Sequence, residues 1–173
     1  AQDDIVMTVM LWRLDADDIA GALEIARYAM TYGLTMPTGR RPTPYLLAEE
    51  VALAAQRLLA AKQPVELANL LDTIALTERA DMPDIVRAKL HKITGYVLRD
   101  ANQLPEALAH LQRAIQLERT IGVKKDIEQL ERQLRPKPEP APKTKTTKPR
   151  TRKPAAKLAA RRGRPPKAAK AAG

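Results

Sequence analysis

The chain has 173 residues and a formal net charge of +10, with 30 Lys and Arg against 20 Asp and Glu, and no Cys, Phe or Ser. Without Cys it can form no disulfide framework, zinc finger or cysteine nucleophile, and without Ser no Ser-His-Asp triad. No apolar run approaches the roughly 18–20 residues that span a bilayer, and Asp3 and Asp4 stand where a signal peptide would be basic.

In chain order, Ile5 to Leu14 predicts a short helix carrying Trp12. From Asp18 to Tyr32, the residues Ile19, Ala22, Leu23, Ala26, Ala29 and Met30 recur at steps of three and four, which gives a helix one apolar face. Asp17 or Asp18 can cap its start and Gly33 can close its end. The stretch Leu34 to Thr43 holds Pro37, Gly39 and Pro42 and reads as a loop. Thr43 then caps a helix to about Ala61, with Pro44 in the first turn. Pro64 opens a fourth helix to about Arg79, and Asp81 with Pro83 a fifth to about Arg99. Leu104 to Thr120 carries the clearest stripe, Leu104, Ala107, Leu108, Leu111, Ala114 and Ile115, with Gly122 as its stop. Lys124 to Leu134 ends the series through Ile127, Leu130 and Leu134. No segment sustains the alternation of a half-buried strand, so the expected fold is all-α.

Two stretches look like copies 85 residues apart, Ile19, Ala22, Leu23 and Ala29 matching Leu104, Ala107, Leu108 and Ala114. Gly95, Ala107, Leu111 and Ala114 resemble the small-residue positions of a tetratricopeptide repeat, where Gly and Ala let two antiparallel helices approach closely. His91 stands where that motif prefers Trp, and the usual Pro is missing. The expected body is therefore a set of antiparallel helix pairs, either a compact bundle or a short tetratricopeptide-like solenoid, with Gly95, Ala107, Leu108, Leu111 and Ala114 as its repeat-like core.

Charge is segregated. Residues 135–173 hold 14 Lys and Arg and a single acid, Glu139, for +13, while 1–134 hold 16 basic and 19 acidic residues, for −3. Eight of the 14 prolines lie in that tail, and Leu158 is its one large aliphatic residue. Such a segment cannot bury enough apolar surface to offset the entropy of ordering it, so the expectation is a disordered basic tail after residue 134. The tail includes Lys148, Arg150, Arg152 and Lys153 and then Arg161-Arg162-Gly163-Arg164-Pro165-Pro166-Lys167, which contains the Arg-Gly-Arg-Pro core of an AT-hook. A glycine lets backbone lie on the floor of a narrow minor groove, with flanking arginines running both ways along it. The A·T minor groove shows acceptors alone, whereas G·C adds an N2 amine that blocks the approach. Phosphate neutralisation by so many cations needs no motif at all. The candidate DNA-binding residues are thus Lys148, Arg150, Arg152, Lys153, Arg161, Arg162, Gly163, Arg164, Pro165 and Lys167.

The remaining polar residues call for no metal or cofactor. Asp3-Asp4 and Asp17-Asp18 each fit a helix start, where acids favour the dipole, and Glu49-Glu50 reads as a solvent-facing pair. His91 and His110 fall on different helices without metal-binding spacing and read as partly exposed. Lys124-Lys125 reads as a solvated face or a second phosphate contact. No phosphate-cradling glycine loop is present, and no catalytic constellation is predicted.

Longer strings carry a resemblance. Ala1 to Asp15, Asp18 to Tyr28, Glu49 to Ala55, Ala80 to Asp84, Val86 to Gly95 and Gly122 to Lys125, together with the Arg-Gly-Arg-Pro tail, resemble the small terminase subunit of peduovirus-type temperate tailed phages. The resemblance covers essentially the whole chain and implies that an N-terminal part of the subunit lies upstream of Ala1, in keeping with the absence of an initial Met. It implies recognition of phage DNA at its cohesive-end region, delivery to a large ATPase/nuclease subunit, a homo-oligomer, and action in the host bacterial cytoplasm with no membrane. The family is often labelled terminase endonuclease subunit, which implies the alternative of cutting cohesive ends. A chromatin-like regulator using an AT-hook is the third reading. The expected plan is 1–134 as an assembly and protein-interaction body and 135–173 as a DNA-binding tail.

Overall fold

A computed structural model describes residues 2–37, 39 and 41–136. They form seven helices and, among the described residues, no strand: α1 (Asp4–Asp15), α2 (Ile19–Thr31), α3 (Thr43–Ala60), α4 (Leu67–Thr77), α5 (Asp84–Asp100), α6 (Leu104–Leu117) and α7 (Lys124–Leu134). The all-α expectation stands. The expectations placed on 137–173 lie outside the described residues.

The helix ends show why the chain folds into hairpins. Asp3 accepts from the Val6 amide at 3.1 Å and Asp18 from the Gly21 amide at 3.0 Å, so both cap free N–H groups at helix starts. At the end of α2, Gly33 takes φ +65°, and the Leu34 amide reaches back to the Ala29 carbonyl at 2.8 Å. Asp17, Lys62 and Asn102 adopt the same left-handed conformation after α1, α3 and α5, each followed by the same backward amide bond. One stop motif therefore turns four helices, and three of those turns use residues that are strained there.

Several boundaries differ from the sequence expectation. Thr43 is not the cap of α3: it is the first helical residue, buried, and its hydroxyl donates to the Leu34 carbonyl at 2.7 Å. That bond anchors Leu34 to the start of α3, and Leu34 and Met36 are both buried. Helix α4 begins at Leu67, three residues beyond Pro64. Helix α6 ends at Leu117, before Gly122, because the Glu118 carboxylate accepts from the Thr120 amide and hydroxyl and folds the chain into a turn.

Packing makes two apolar clusters joined by α5. The larger collects Met7, Met10 and Leu14 of α1, Leu23 and Ala26 of α2, Leu47 and Val51 of α3, Leu70 of α4, and Val86, Leu90, Ile93 and Val97 of α5. The smaller collects Ala88 and Leu98 of α5, Ala107, Leu111 and Ala114 of α6, Val123 and Leu130. Each fully buried Leu or Met contributes roughly 1.5–3 kcal/mol. Helix α1 is apolar nearly all round: Met7, Met10 and Leu14 face inward, while Ile5 and Trp12 are exposed.

Candidate functional site

Helix α5 is the hub of the described chemistry. Gly95 lies where α5 and α6 come closest: a Cβ built on it would stand 2.7 Å from Leu111 Cδ2 and 3.3 Å from the Ala107 carbonyl oxygen. Carbon atoms normally approach to about 3.5–4.0 Å, so any side chain there would force Leu111 or α6 to shift. Ala107, Leu111 and Ala114 are fully buried around it, while Leu108 is half-buried at the cluster's edge. The structure thus brings Gly95, Ala107, Leu111 and Ala114 together, with Leu108 beside them.

The same register places two histidines face to face. His91 lies one turn before Gly95 on α5 and His110 one turn after Ala107 on α6, and their Nδ1 atoms are 3.0 Å apart. The sequence predicts both as partly exposed residues on different helices, and so they are, but it does not predict that they meet. Both are half-buried and share one hydrogen bond, so one ring donates while the other accepts. Burial, the opposing His110 and the nearby Arg113 and Arg87 push His91 down to about 4, and burial also lowers His110. Counting turns outward from Gly95 and Ala107 would have found the pair, because antiparallel helices bring such residues to one level.

A polar row on α5 holds the last helices. Lys92 Nζ donates to the Ile121 carbonyl at 2.9 Å, Tyr96 Oη to Asp126 at 3.1 Å and Arg99 to Asp126 at 3.2 Å. Arg99 also lies over the Tyr96 ring, 4.8 Å from its centroid. Burial, with the Asp126 carboxylate beside it, pushes the Tyr96 phenol up to about 12. Lys124 and Lys125 are exposed at the start of α7.

The acids have structural partners. Asp3 and Asp18 are caps, and Asp17 pairs with Arg57 at 2.8 Å, joining the end of α1 to α3. Glu49 and Glu50 are half-buried rather than solvent-facing. Glu49 pairs with Arg41, and burial together with Glu49 raises Glu50 above the usual carboxylate range. Among the described residues, no group of three or more His, Asp or Glu side chains is placed to hold a metal ion, and no helix is long and apolar enough to cross a membrane. The expected DNA-binding residues, Lys148, Arg150, Arg152, Lys153, Arg161, Arg162, Gly163, Arg164, Pro165 and Lys167, lie outside the described residues.

No solved structure matches the chain. The sequence model of the family described as phage small terminase subunit matches residues 1–85, which span α1 to α4 and the first two residues of α5. The terminase, endonuclease subunit of Escherichia phage P2 is 63% identical over 170 residues, covering 98% of this chain and 68% of that protein. A likeness of that extent takes in the cationic tail as well as the helices. The chain belongs to the phage small terminase subunit family, and its role is in phage DNA packaging.

Proposed function

We propose that this chain is the DNA-recognition subunit of the packaging machinery, a non-catalytic adaptor that binds duplex DNA through residues 135–173. Its helical body is the surface for self-assembly and for the large terminase subunit, and it acts in the host cytoplasm. One observation carries the reading: the tail concentrates 14 cations against one acid, while residues 1–134 are net acidic. A body of net charge −3 does not draw DNA by itself, and phosphate neutralisation by the tail supplies affinity without a folded site. Arg161, Arg162 and Arg164 around Gly163 add the minor-groove preference for A·T pairs, and Lys148, Arg150, Arg152, Lys153 and Lys167 add phosphate contacts. Titration of a labelled duplex with the full chain over a range of salt tests this. With half of the cations engaged, the log–log slope of affinity on salt should be roughly −6 on duplex DNA. A slope near zero would refute the tail as the DNA-binding element.

A second reading, cleavage at cohesive ends, is favoured by the P2 relative, a terminase, endonuclease subunit. It requires carboxylates gathered on a divalent cation. The full chain incubated alone with plasmid and Mg²⁺ or Mn²⁺ separates the two readings: intact plasmid supports the adaptor, and cleavage supports the nuclease.

A further inference from the structure

An open cavity of about 900 Å³ runs between α3 and α5 and is lined also by Thr120 and Ile121. Its floor includes the buried Ala52 and Ile93. Leu53 on the α3 wall is 39% exposed and Ile85 on the α5 wall 36%, so two large apolar side chains open into one groove. Exposed apolar residues scattered singly need no explanation, whereas two that line one cavity do.

The charges along this groove are unbalanced. Its acids are already paired, Glu49 with Arg41 and Asp100 with Arg99. Arg99 also pairs with Asp126. Lys89 and Lys92 line the α5 wall, and among the described residues no carboxylate lies within ion-pair distance of either. Lys92 donates to the Ile121 carbonyl and lies 5.9 Å from the centroid of the Tyr96 ring, but has no anionic partner among the described residues. The groove therefore offers an apolar strip with a cationic edge.

We propose that this groove docks one amphipathic helix of the large terminase subunit, its apolar face between Leu53 and Ile85 and an Asp/Glu flank along Lys89 and Lys92. Two turns of a helix about 10 Å across fill roughly 850 Å³, comparable with the cavity. Helices seat in such grooves through apolar anchors spaced a turn apart, and flanking charge selects the partner. The chain's own tail is the wrong occupant, since its +13 would face two lysines. A DNA backbone is a poor one, because Leu53 and Ile85 offer a phosphate nothing.

The proposal rests on the large-subunit partnership argued above. Full chains carrying Lys89→Glu or Leu53→Gln are compared with the parent for capture of purified large terminase subunit, for duplex binding, and for oligomeric state by light scattering. Helix content by circular dichroism checks folding. Lys89 is exposed, so Lys89→Glu remains informative if Leu53→Gln fails to fold. Each variant should weaken capture by roughly tenfold or more, with duplex affinity and oligomeric state unchanged. Capture by parent and folded variants alike overturns the groove and leaves the partnership standing. No capture by the parent overturns both. Lost duplex affinity in Lys89→Glu with intact capture makes the groove a phosphate surface, and a changed oligomeric state in Leu53→Gln makes it a contact between copies; either result overturns the proposal.

Discussion

Replacing Gly95 by alanine puts a methyl group into the closest approach of α5 and α6. In an isolated helix the change would stabilise by about 1 kcal/mol, because glycine has the greater backbone freedom to lose. Here the new Cβ meets Leu111 Cδ2 at 2.7 Å and Cγ at 2.8 Å. Leu111 is fully buried and cannot swing into solvent, so α6 must shift or Leu111 must leave its rotamer. Overpacking of this kind costs about 1–3 kcal/mol. The net expectation is a loss of about 1 kcal/mol, or a fall in Tm of about 3–5 °C for a folded unit of this size. Urea unfolding of the full chain by far-UV circular dichroism measures it, provided the slope on denaturant stays constant. A double-variant cycle sharpens the test. Leu111→Ala alone should cost about 2–5 kcal/mol through the cavity it leaves, and Gly95→Ala should partly fill that cavity. The two losses should therefore be non-additive by about 1 kcal/mol or more. Stabilisation by Gly95→Ala, or strict additivity, would refute the close approach.

Lys62→Gly should raise stability by up to about 1 kcal/mol, because Lys62 is held at φ 56° where glycine is unstrained; a lower urea midpoint would contradict this. The His91–His110 pair predicts an acid limb. The folded state holds His91 near 4 against its ordinary 6.5, so its contribution is full above pH 6.5 and is lost as pH falls towards 4. Discounted for partial exposure, the loss is on the order of 2 kcal/mol, and His91→Asn should flatten that part of the pH–stability curve. In the tail, Gly163→Ala changes no charge, so it should lower affinity for A·T-rich duplex while leaving G·C-rich duplex unaffected. Equal effects on both would reduce Arg161 to Arg164 to a cationic run.

Legibility followed the range of the physics involved. Helix existence is written locally, in the three-and-four spacing of Ile19 to Ala29 or Leu104 to Ile115, and those helices form where the spacing places them. The close approach of Gly95 to α6 was also readable, since a glycine opposite alanines leaves space that a neighbouring helix can fill. The errors fell where a side chain chose a distant or unexpected partner. Thr43 bonds the Leu34 carbonyl instead of capping its own helix, and Glu118 turns the chain ahead of Gly122. Glu49 and Glu50 read as exposed because the sequence did not show α3 packed against its neighbours. The groove was not visible in any one helix: Leu53 and Ile85 are unremarkable on their own stripes and become a site when α3 and α5 lie side by side.

The arrangement of the two clusters also says how the body comes apart. Among the described residues, α6 packs against α5 and α7, and α7 against α6, while Tyr96 and Arg99 of α5 reach across to Asp126 and Lys92 to the Ile121 carbonyl. The α6–α7 hairpin is therefore attached mainly through α5, with Leu67 of α4 packed against the same cluster, and the larger cluster over α1 to α5 is built without it. Local stability tracks buried contacts, so the hairpin is the unit that opens first. Its release would uncover Ala88 and Leu98 but leave Val86, Leu90, Ile93 and Val97 in place. The Gly95→Ala strain should then appear as faster amide exchange across α6 and α7, with α1 to α4 protected as in the parent. The stretch matched by the family's sequence model, 1–85, stops as α5 begins. Helix α5 thus joins that stretch to the hairpin, and its Ile85 and Lys89 line the groove. A partner helix seated there would touch α3 and α5 and the 120–121 turn, and so would bind the hairpin to the larger cluster. Binding at the groove should accordingly slow exchange in α6 and α7, helices that lie outside the groove itself.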